Sequence, residues 1–241
     1  MIIAGCPIFP QQQTDLCKFV NPFVGTAEHG HTFPGASAPF GMVQLSPDTR
    51  LTGWDGCSGY HYSDSLIYGF SHTHLSGTGC ADYCDILLMP FTGKAEYEYN
   101  GYASAFSHKN EKAEPGYYSV MLDKHKIFAE LTASPRCGVH RYAFPKNSDN
   151  AGVLLDLVHR DIVINCGLQK INDSVFVGHR HSHDWADTQM LFFAIKFSKA
   201  PASFKVVHDS INSPFKESDR NIKAAFFAMR EKVGALAVGL E

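Results

Sequence analysis

A succession of β-type segments separated by turn residues most constrains the fold of this chain. Each segment is alternately or continuously apolar over five to eight positions, which is typical of strands. Turn signals such as Glu114-Pro115-Gly116 separate them. The segments are residues 117–122, 127–132, 139–144, 152–158, 174–178, 190–197 and 204–208. Regular short strands joined by turns predict an all-β fold, an antiparallel β-sandwich.

Two further apolar segments follow these strands. Residues 222–232 carry apolar side chains at helical spacing, but the continuous run Ala224-Ala225-Phe226-Phe227-Ala228 also suits a buried strand. We expect a strand. Residues 233–241 are again apolar and end without a polar turn, so we expect a strand that is cut off before its natural end.

The first part of the chain has a different texture. Residues 19–90 are rich in Gly, Pro, Ser, Thr and His, with short apolar runs at residues 42–45 and 86–89. This pattern predicts short strands joined by long Gly/Pro/His-rich loops. Loops of this composition hold a fixed shape, which a ligand site requires.

Composition excludes several classes of partner. The net charge is −3 and the Lys and Arg residues are spread along the chain, which leaves no basic field for nucleic acid or anionic lipid. No run of 18 apolar residues occurs, so no transmembrane helix is expected. The seven cysteines include no CxxC pair, and an odd number cannot all pair within one chain. We therefore expect free thiols rather than a disulfide framework.

Three loops concentrate the residue types that recognise sugars. An indole or phenol ring stacked on the C–H face of a sugar, with carboxylates or amides near its hydroxyls, is the usual means of carbohydrate recognition. A tight loop whose histidines bond the backbone, and a tryptophan that only fills the core, explain the same pattern. The loops are residues 28–36, 53–64 and 69–80.

His-x-His arrays support a rival interpretation, a metalloenzyme. On a strand, the period of two places alternate histidines on one face, as a cupin-like metal site requires. No glutamate follows at cupin-like spacing, and the arrays lie in Gly-rich loops or beside Arg180 and Asp184. We therefore expect structural histidines and no metal site. The arrays are His29/His31, His72/His74 and His179/His181/His183.

The N-terminus carries a signal of export. Ile3-Ala4-Gly5-Cys6 resembles a bacterial lipobox, in which the cysteine is lipidated after the signal peptide is removed. Five preceding residues cannot form a charged region and an apolar region, so the match is either accidental or the coding start lies upstream. We expect residues 1–18 to be a leader or lipoprotein remnant, with a possible lipid anchor at Cys6 and a periplasmic or cell-surface location.

Long motifs between residues 19 and 90 resemble the opening of glycoside hydrolase family 92. They occur in order, beginning with Val20-Asn21-Pro22-Phe23-Val24-Gly25-Thr26 and continuing through residues 29–36, 39–50, 53–64 and 69–88. A looser similarity extends to about residue 230 and includes residues 180–186 and Phe197-Ser198-Lys199. Several uncommon motifs in the family's order make chance a poor explanation.

The resemblance implies a two-domain enzyme. Residues 19–241 would form its N-terminal β-sandwich, of the supersandwich, galactose-mutarotase-like kind, and a larger (α/α)₆ barrel would follow outside this chain. Family members are calcium-dependent, inverting exo-α-mannosidases that act on mannose-containing glycans such as N-glycans, and their catalytic carboxylates and calcium ligands belong to the barrel. The resemblance thus implies no catalytic residue and no calcium ligand here, and a chain that is inactive alone.

The expected contribution of the N-terminal domain is one wall of the sugar pocket. Family members often carry a second aromatic residue where Gly56 stands, so the rim of the pocket is expected to differ here. A free-standing carbohydrate-binding module remains the alternative. The residues that the motif matches assign to the wall are Phe23, His31, Phe33, Gly35, Trp54, Asp55 and Cys57.

Overall fold

A computed structural model describes residues 15–208, 222–227 and 233–240. The segment at residues 3–6 that resembles a lipobox, most of the expected leader and residues 228–232 lie outside the described residues. Helices are few in the described part: α1 (Tyr99–Tyr102) and three 3₁₀ helices, Cys17–Phe19, Trp54–Gly56 and His108–Asn110. No described helix is long and apolar enough to cross a membrane.

Strands account for most of the regular structure. In the first half of the chain they are β1 (Ala36–Ser37), β2 (Gln44–Asp48), β3 (Leu66–Ile67), β4 (Gly69–Ser71), β5 (Leu87–Phe91), β6 (Ser104–Ala105), β7 (Glu111–Glu114) and β8 (Tyr117–Leu122). In the second half they are β9 (Ile127–Ser134), β10 (Cys137–Ala143), β11 (Gly152–Asp156), β12 (Ile162–Lys170), β13 (Val175–His183), β14 (Gln189–Phe197), β15 (Ser203–His208), β16 (Ile222–Phe227) and β17 (Val233–Leu240).

The strands form two large antiparallel sheets. One sheet has seven strands in the order β1-β2-β4-β5-β11-β16-β15, and the other has eight in the order β12-β13-β14-β17-β10-β9-β8-β7. The short strands β3 and β6 pair separately. β17 lies inside the eight-stranded sheet, between β14 and β10, although it is the last described strand.

Side-chain alternation explains why these segments are strands. Along β14, Leu191, Phe193 and Ile195 are buried, whereas Met190 and Phe192 are exposed. Successive side chains of a strand point to opposite faces, so one face of β14 joins the core. β11 is buried at every position, which matches its continuously apolar sequence and its place between β5 and β16.

One apolar core joins the two sheets. Phe226 of the seven-stranded sheet contacts Phe176 and Phe197 of the eight-stranded sheet, with ring centroids 4.7 and 4.9 Å apart. Phe70 and Tyr142 make a similar contact across the core at 6.3 Å. Two sheets packed face to face over a common core constitute a β-sandwich, and the predicted fold class is confirmed.

The predicted strands are also confirmed, with differences in length. Residues 117–122 coincide with β8, and the segments at 222–227 and 233–240 are the strands β16 and β17. The segment predicted at 174–178 is too short, because β13 continues to His183. Gly178 and the alternating histidines interrupt its apolar pattern, yet every residue from 175 to 182 pairs with β14. The backbone pairing of β13 therefore continues beyond the point where its apolar side-chain pattern ends.

Candidate functional site

Three of the loops singled out by the sequence meet at one end of the sandwich. The amide of Tyr62 donates to the carbonyl of Thr26 at 2.8 Å, and the amide of Gly77 donates to the carbonyl of His31 at 2.7 Å. The hydroxyl of Ser58 donates to the carbonyl of Thr32 at 3.0 Å. These bonds fix the first loop against the other two, so their side chains form a single surface.

Trp54 is the most prominent side chain of this surface. It opens the 3₁₀ helix Trp54–Gly56, and 61% of its surface is exposed. The ring of His31 meets the indole edge-on, with centroids 5.0 Å apart. Gly79 lies directly against the indole, where a Cβ would overlap the ring. The indole is therefore held on two sides while a broad part of it faces solvent.

Asp55 stands next to Trp54 and contacts two histidines. Its Oδ1 lies 2.7 Å from Nδ1 of His29 and 3.4 Å from Nε2 of His31. We call these three residues the rim cluster. The hydrogen bond from His29 lowers the pKa of Asp55, and the same bond raises the pKa of His29. The cluster thus places a carboxylate and imidazole nitrogens beside an exposed indole.

A second His–Asp set lies beneath this surface, and we call it the interior cluster: Asp48, His74 and His159. Asp48 Oδ1 lies 2.7 Å from Nε2 of His74, and its Oδ2 lies 2.8 Å from Nε2 of His159. The His159 ring is not aligned for a hydrogen bond, so we treat that contact as a charge interaction. All three side chains are almost completely buried.

The two histidines keep Asp48 ionised. Burial alone would raise the pKa of Asp48, but the charges of His74 and His159 outweigh burial and hold it well below its usual range. For His74, burial lowers the pKa, and the neighbouring Cys84 and Asp48 raise it to about 10. The interior cluster therefore contains a buried ion pair between Asp48 and His74.

Close packing links the interior cluster to the surface above it. Gly59 has a φ of +78°, and a Cβ there would lie 2.6 Å from Asp48 Oδ1. Arg160 donates from one guanidinium nitrogen to the carbonyl of Gly56 at 2.8 Å and from the other to Sγ of Cys84 at 3.1 Å. Arg160 thereby fastens the end of the Trp54–Gly56 helix to the buried layer.

The structure distributes the other predicted wall residues around this surface. Phe23 is half-buried and meets Tyr62 edge-on at 5.8 Å, and Phe33 packs on His74 at 5.2 Å. Cys57 is buried, and its thiol donates to the carbonyl of Trp54 at 2.7 Å. Gly35 packs so closely on β2 that a Cβ would overlap the carbonyl of Leu45. Trp54 and Asp55 are the predicted residues that offer functional atoms to solvent.

Sequence reasoning missed the residues that brace this surface. Glu111 accepts hydrogen bonds from Tyr60 at 3.1 Å and Tyr118 at 2.6 Å, and it lies 2.6 Å from Nδ1 of His108. His108 stacks on Tyr62, with centroids 4.1 Å apart. Glu111 thus ties the eight-stranded sheet to the loop surface. An acidic residue at the start of an amphipathic strand carries no sequence signal for this role.

The histidine arrays behave differently from one another. His179, His181 and His183 alternate with the buried Arg180 and Ser182 along β13, so the period of two places them on one face as expected.

His72 and His74 are both buried instead, with separate partners. Nδ1 of His72 donates to the carbonyl of Ile86 at 2.7 Å, and its Nε2 lies 2.9 Å from Nε2 of His140. Nδ1 of His140 lies 2.8 Å from the hydroxyl of Tyr142. A carbonyl only accepts, so the chain is complete with both rings neutral: His140 donates to His72, and Tyr142 donates to His140. Burial lowers the pKa of His72 to about 4.

Donor chemistry decides which metals suit the described residues. Two sets of side chains bring ligand atoms within 4.8 Å of one another: His29, His31 and Asp55, and Asp48, His74 and Cys84. Each set contains one carboxylate, whereas calcium takes six to eight oxygen ligands. Neither set therefore fits calcium, and their nitrogen and sulfur donors suit a transition metal instead.

A separate groove lies on the eight-stranded sheet. Its volume is about 720 Å³, and it is lined by residues of β12, β13, β14 and β17, among them Val177, His179 and Phe192. None of the predicted wall residues lines it. We therefore assign the candidate site to the loop surface and not to this groove.

Comparison with known proteins supports the assignment of the fold. Residues 19–236 match the glycosyl hydrolase family 92 N-terminal domain. The family GH92 alpha-mannosidase BT3965 from Bacteroides thetaiotaomicron, solved in complex with mannoimidazole, is 34% identical with a TM-score of 0.86. That match covers 95% of this chain and 32% of the mannosidase. The GH92 inverting mannosidase BT2199 from the same organism is 22% identical, with a TM-score of 0.77 over 96% of this chain and 32% of that one, and shows the fold.

A curated relative is also a glycosidase, which agrees with the family match. An uncharacterized secreted glycosidase from Arthroderma benhamiae is 31% identical over 159 residues, which cover 63% of this chain and 20% of that protein. The chain thus spans about a third of the length of the solved relatives and a fifth of the curated one.

Proposed function

We infer the function of this chain from its family: it belongs to glycosyl hydrolase family 92 as an N-terminal domain. We propose that it forms one wall of a mannoside pocket, whose catalytic groups come from a further domain. The observation that carries the proposal is the exposed Trp54 indole, which His31 and Gly79 hold beside the Asp55 carboxylate.

The geometry of this surface suits recognition without catalysis. An indole buried on two sides presents its remaining face at little cost in side-chain entropy, which favours stacking on the apolar face of a sugar. Asp55 accepts hydrogen bonds from sugar hydroxyls beside that face. Inverting glycoside hydrolysis needs a general acid and a general base about 6.5–9.5 Å apart on opposite faces of the sugar. The wall supplies one face, and we propose that the further domain supplies both carboxylates and the family's calcium ion.

Substrate and location follow from the same proposal. A relative that binds mannoimidazole and a secreted glycosidase relative support a mannose-containing glycan as ligand and an exported protein. The pocket-lining role of Phe23, Phe33, Gly35 and Cys57 is then indirect, since these residues shape the loops under Trp54 and Asp55.

Tryptophan fluorescence tests the wall directly, because the chain has two exposed tryptophans that serve as each other's control. Trp54 is 61% and Trp185 69% exposed. In a Trp185→Phe variant, titration with α-mannobiose should change the emission of Trp54, with a dissociation constant of about 1 mM or weaker, or −4 kcal/mol. In a Trp54→Phe variant, the emission of Trp185 should not change.

Each outcome bears on one part of the proposal. Equal responses from both tryptophans, or none from Trp54 at high sugar concentration, would contradict the assigned wall. Release of mannose from α-mannobiose by this chain alone would contradict the proposal that the catalytic groups come from a further domain. A dissociation constant well below 1 mM would favour the alternative, a free-standing carbohydrate-binding module.

A further inference from the structure

The rim cluster has an unusual arrangement of donors and acceptors. Nδ1 of His31 lies 2.7 Å from the carbonyl of Thr78, which can only accept, so Nδ1 carries the proton. In the neutral ring, Nε2 then presents a lone pair, and it faces Asp55 Oδ1 at 3.4 Å. A lone pair that faces a carboxylate oxygen is accommodated by a cation between the two atoms, which is a metal ion or a proton on Nε2, or by a bridging water.

The orientation of His31 is the one that metal sites use. Histidines that bind metals almost always donate their other ring N–H to a carbonyl or carboxylate, which fixes the tautomer and the direction of the free nitrogen. The His31 side chain is only 5% exposed, so its ring is held in this direction by packing. Its contact with Trp54 adds a second constraint on the ring.

The distances within the cluster agree with a tetrahedral ion. Bonds of about 2.0–2.1 Å from zinc to nitrogen and oxygen place neighbouring ligand atoms roughly 3.3–3.4 Å apart. The separation of His31 Nε2 and Asp55 Oδ1 is 3.4 Å. The hydrogen-bonded pair of His29 and Asp55 is closer, at 2.7 Å, but the His29 side chain is 73% exposed and free to adjust. Two of the three ligand atoms are thus already spaced for coordination.

The interior cluster lacks these properties although it contains the same residue types. Both oxygens of Asp48 already face histidines. The third possible ligand beside Asp48 and His74 is Cys84, and Arg160 lies 3.1 Å from its Sγ. A fixed guanidinium beside the sulfur disfavours a second cation, and the buried position offers no path for a hydrated ion. This comparison points to the rim as the metal site.

We propose that His29, His31 and Asp55 bind one divalent transition-metal ion of the zinc class. Three protein ligands leave the fourth position of a tetrahedral ion open to water or to a ligand oxygen, as in zinc sites that exchange ligands. That position lies on the same surface as the Trp54 indole. The inference shares Asp55 and His31 with the proposed sugar-binding wall, but its evidence is separate, since it rests on the donor geometry of the cluster.

Metal titration of this chain tests the proposal. After dialysis against EDTA and then against metal-free buffer, titration calorimetry with zinc chloride should show one equivalent bound. Cobalt chloride should give the intense visible absorption of a tetrahedral site. His31→Ala or Asp55→Asn should weaken zinc binding by at least about 10–100-fold, since loss of even an outer partner has that effect.

Two further variants keep the test decisive. His29→Ala changes a side chain that is 73% exposed, so this variant should fold and report on the metal even where His31→Ala fails to fold. His181→Ala is the matched control, because it alters the largest histidine array and should leave zinc binding unchanged. Unchanged zinc binding in both His29→Ala and Asp55→Asn would overturn the proposal, as would loss of binding in His181→Ala alone or no zinc binding by the unmodified chain. Mannoside binding at Trp54 is measured separately, so failure of one proposal does not affect the other.

Discussion

The rim and interior clusters set the same residue types in opposite environments. Each has one aspartate between two histidines, with the shorter contact at 2.7 Å in both. The Asp55 side chain is 30% exposed and the Asp48 side chain is buried. Burial strengthens charge interactions and penalises any unpaired group, so the interior cluster is committed to holding the fold. Exposure leaves the rim cluster available to a ligand.

Removing one carboxylate from each cluster should separate these roles most strongly. Asp48→Asn leaves His74 and His159 without their buried anion, and breaking such a pair costs about 3–5 kcal/mol. Asp55→Asn at the rim should leave the free energy of unfolding almost unchanged, because this carboxylate stays in contact with water. Urea unfolding of the two variants measures the difference. Similar losses of unfolding free energy in both would mean that burial does not determine which cluster stabilises the fold.

Two glycines provide a matched pair for backbone substitution. Gly59→Ala forces a side chain into left-handed backbone against Asp48, and we expect a loss of about 2–4 kcal/mol from backbone strain and overpacking. Gly79→Ala should displace the Trp54 indole and leave the free energy of unfolding almost unchanged, because Gly79 is exposed. The measurements are urea unfolding for both variants and Trp54 emission for Gly79→Ala. A stable Gly59→Ala variant would show that the interior tolerates movement.

The pH dependence of the free energy of unfolding should report on the buried histidines His72 and His74. Burial lowers the pKa of folded His72 from its ordinary value of 6.5 to about 4, so its contribution to stability is present above pH 6.5. This contribution is lost as the pH falls from 6.5 towards 4, with a total effect of up to about 3 kcal/mol. His74 has the opposite sign, because its folded pKa is raised to about 10. Its contribution is present below pH 6.5 and is lost as the pH rises through 10.

A substitution tests which histidines cause the loss of stability between pH 6.5 and 4, which we call the acid limb. Burial holds the pKa of His140 well below 6.5, so His140→Phe removes one group that resists protonation. We expect a lower stability at neutral pH and a shallower dependence between pH 6.5 and 4, measured by urea unfolding at several pH values. An unchanged slope would assign the acid limb to other groups.

The smallest effect should come from the exposed rim histidine. His29→Ala removes a hydrogen bond to Asp55 at the surface, and surface changes of this kind have little effect on the free energy of unfolding. Thermal unfolding should therefore match that of the unmodified chain even while zinc binding is lost. A marked drop in stability would show that the rim also holds the fold.

The sequence determined the strands because their signal is local. Alternating or continuous apolar character defines β8, β11 and β14 without knowledge of their partners, and the segment 222–227 favoured a strand for the same reason. Where Gly178 and the histidines interrupted the apolar pattern, as along β13, the predicted strand was too short. The motifs of residues 19–90 likewise identified the loops that meet at Trp54 and Asp55.

Only the tertiary structure decided what each histidine and aspartate does. The sequence placed His31 in a candidate wall and treated His72 and His74 as one array, but packing buried His72 and His74 and gave them separate partners. Burial depends on segments that are distant in the chain, such as those that bring His159 to Asp48 and Thr78 to His31. The pKa of a side chain and the direction of its free nitrogen follow from those contacts, so no local pattern can specify them.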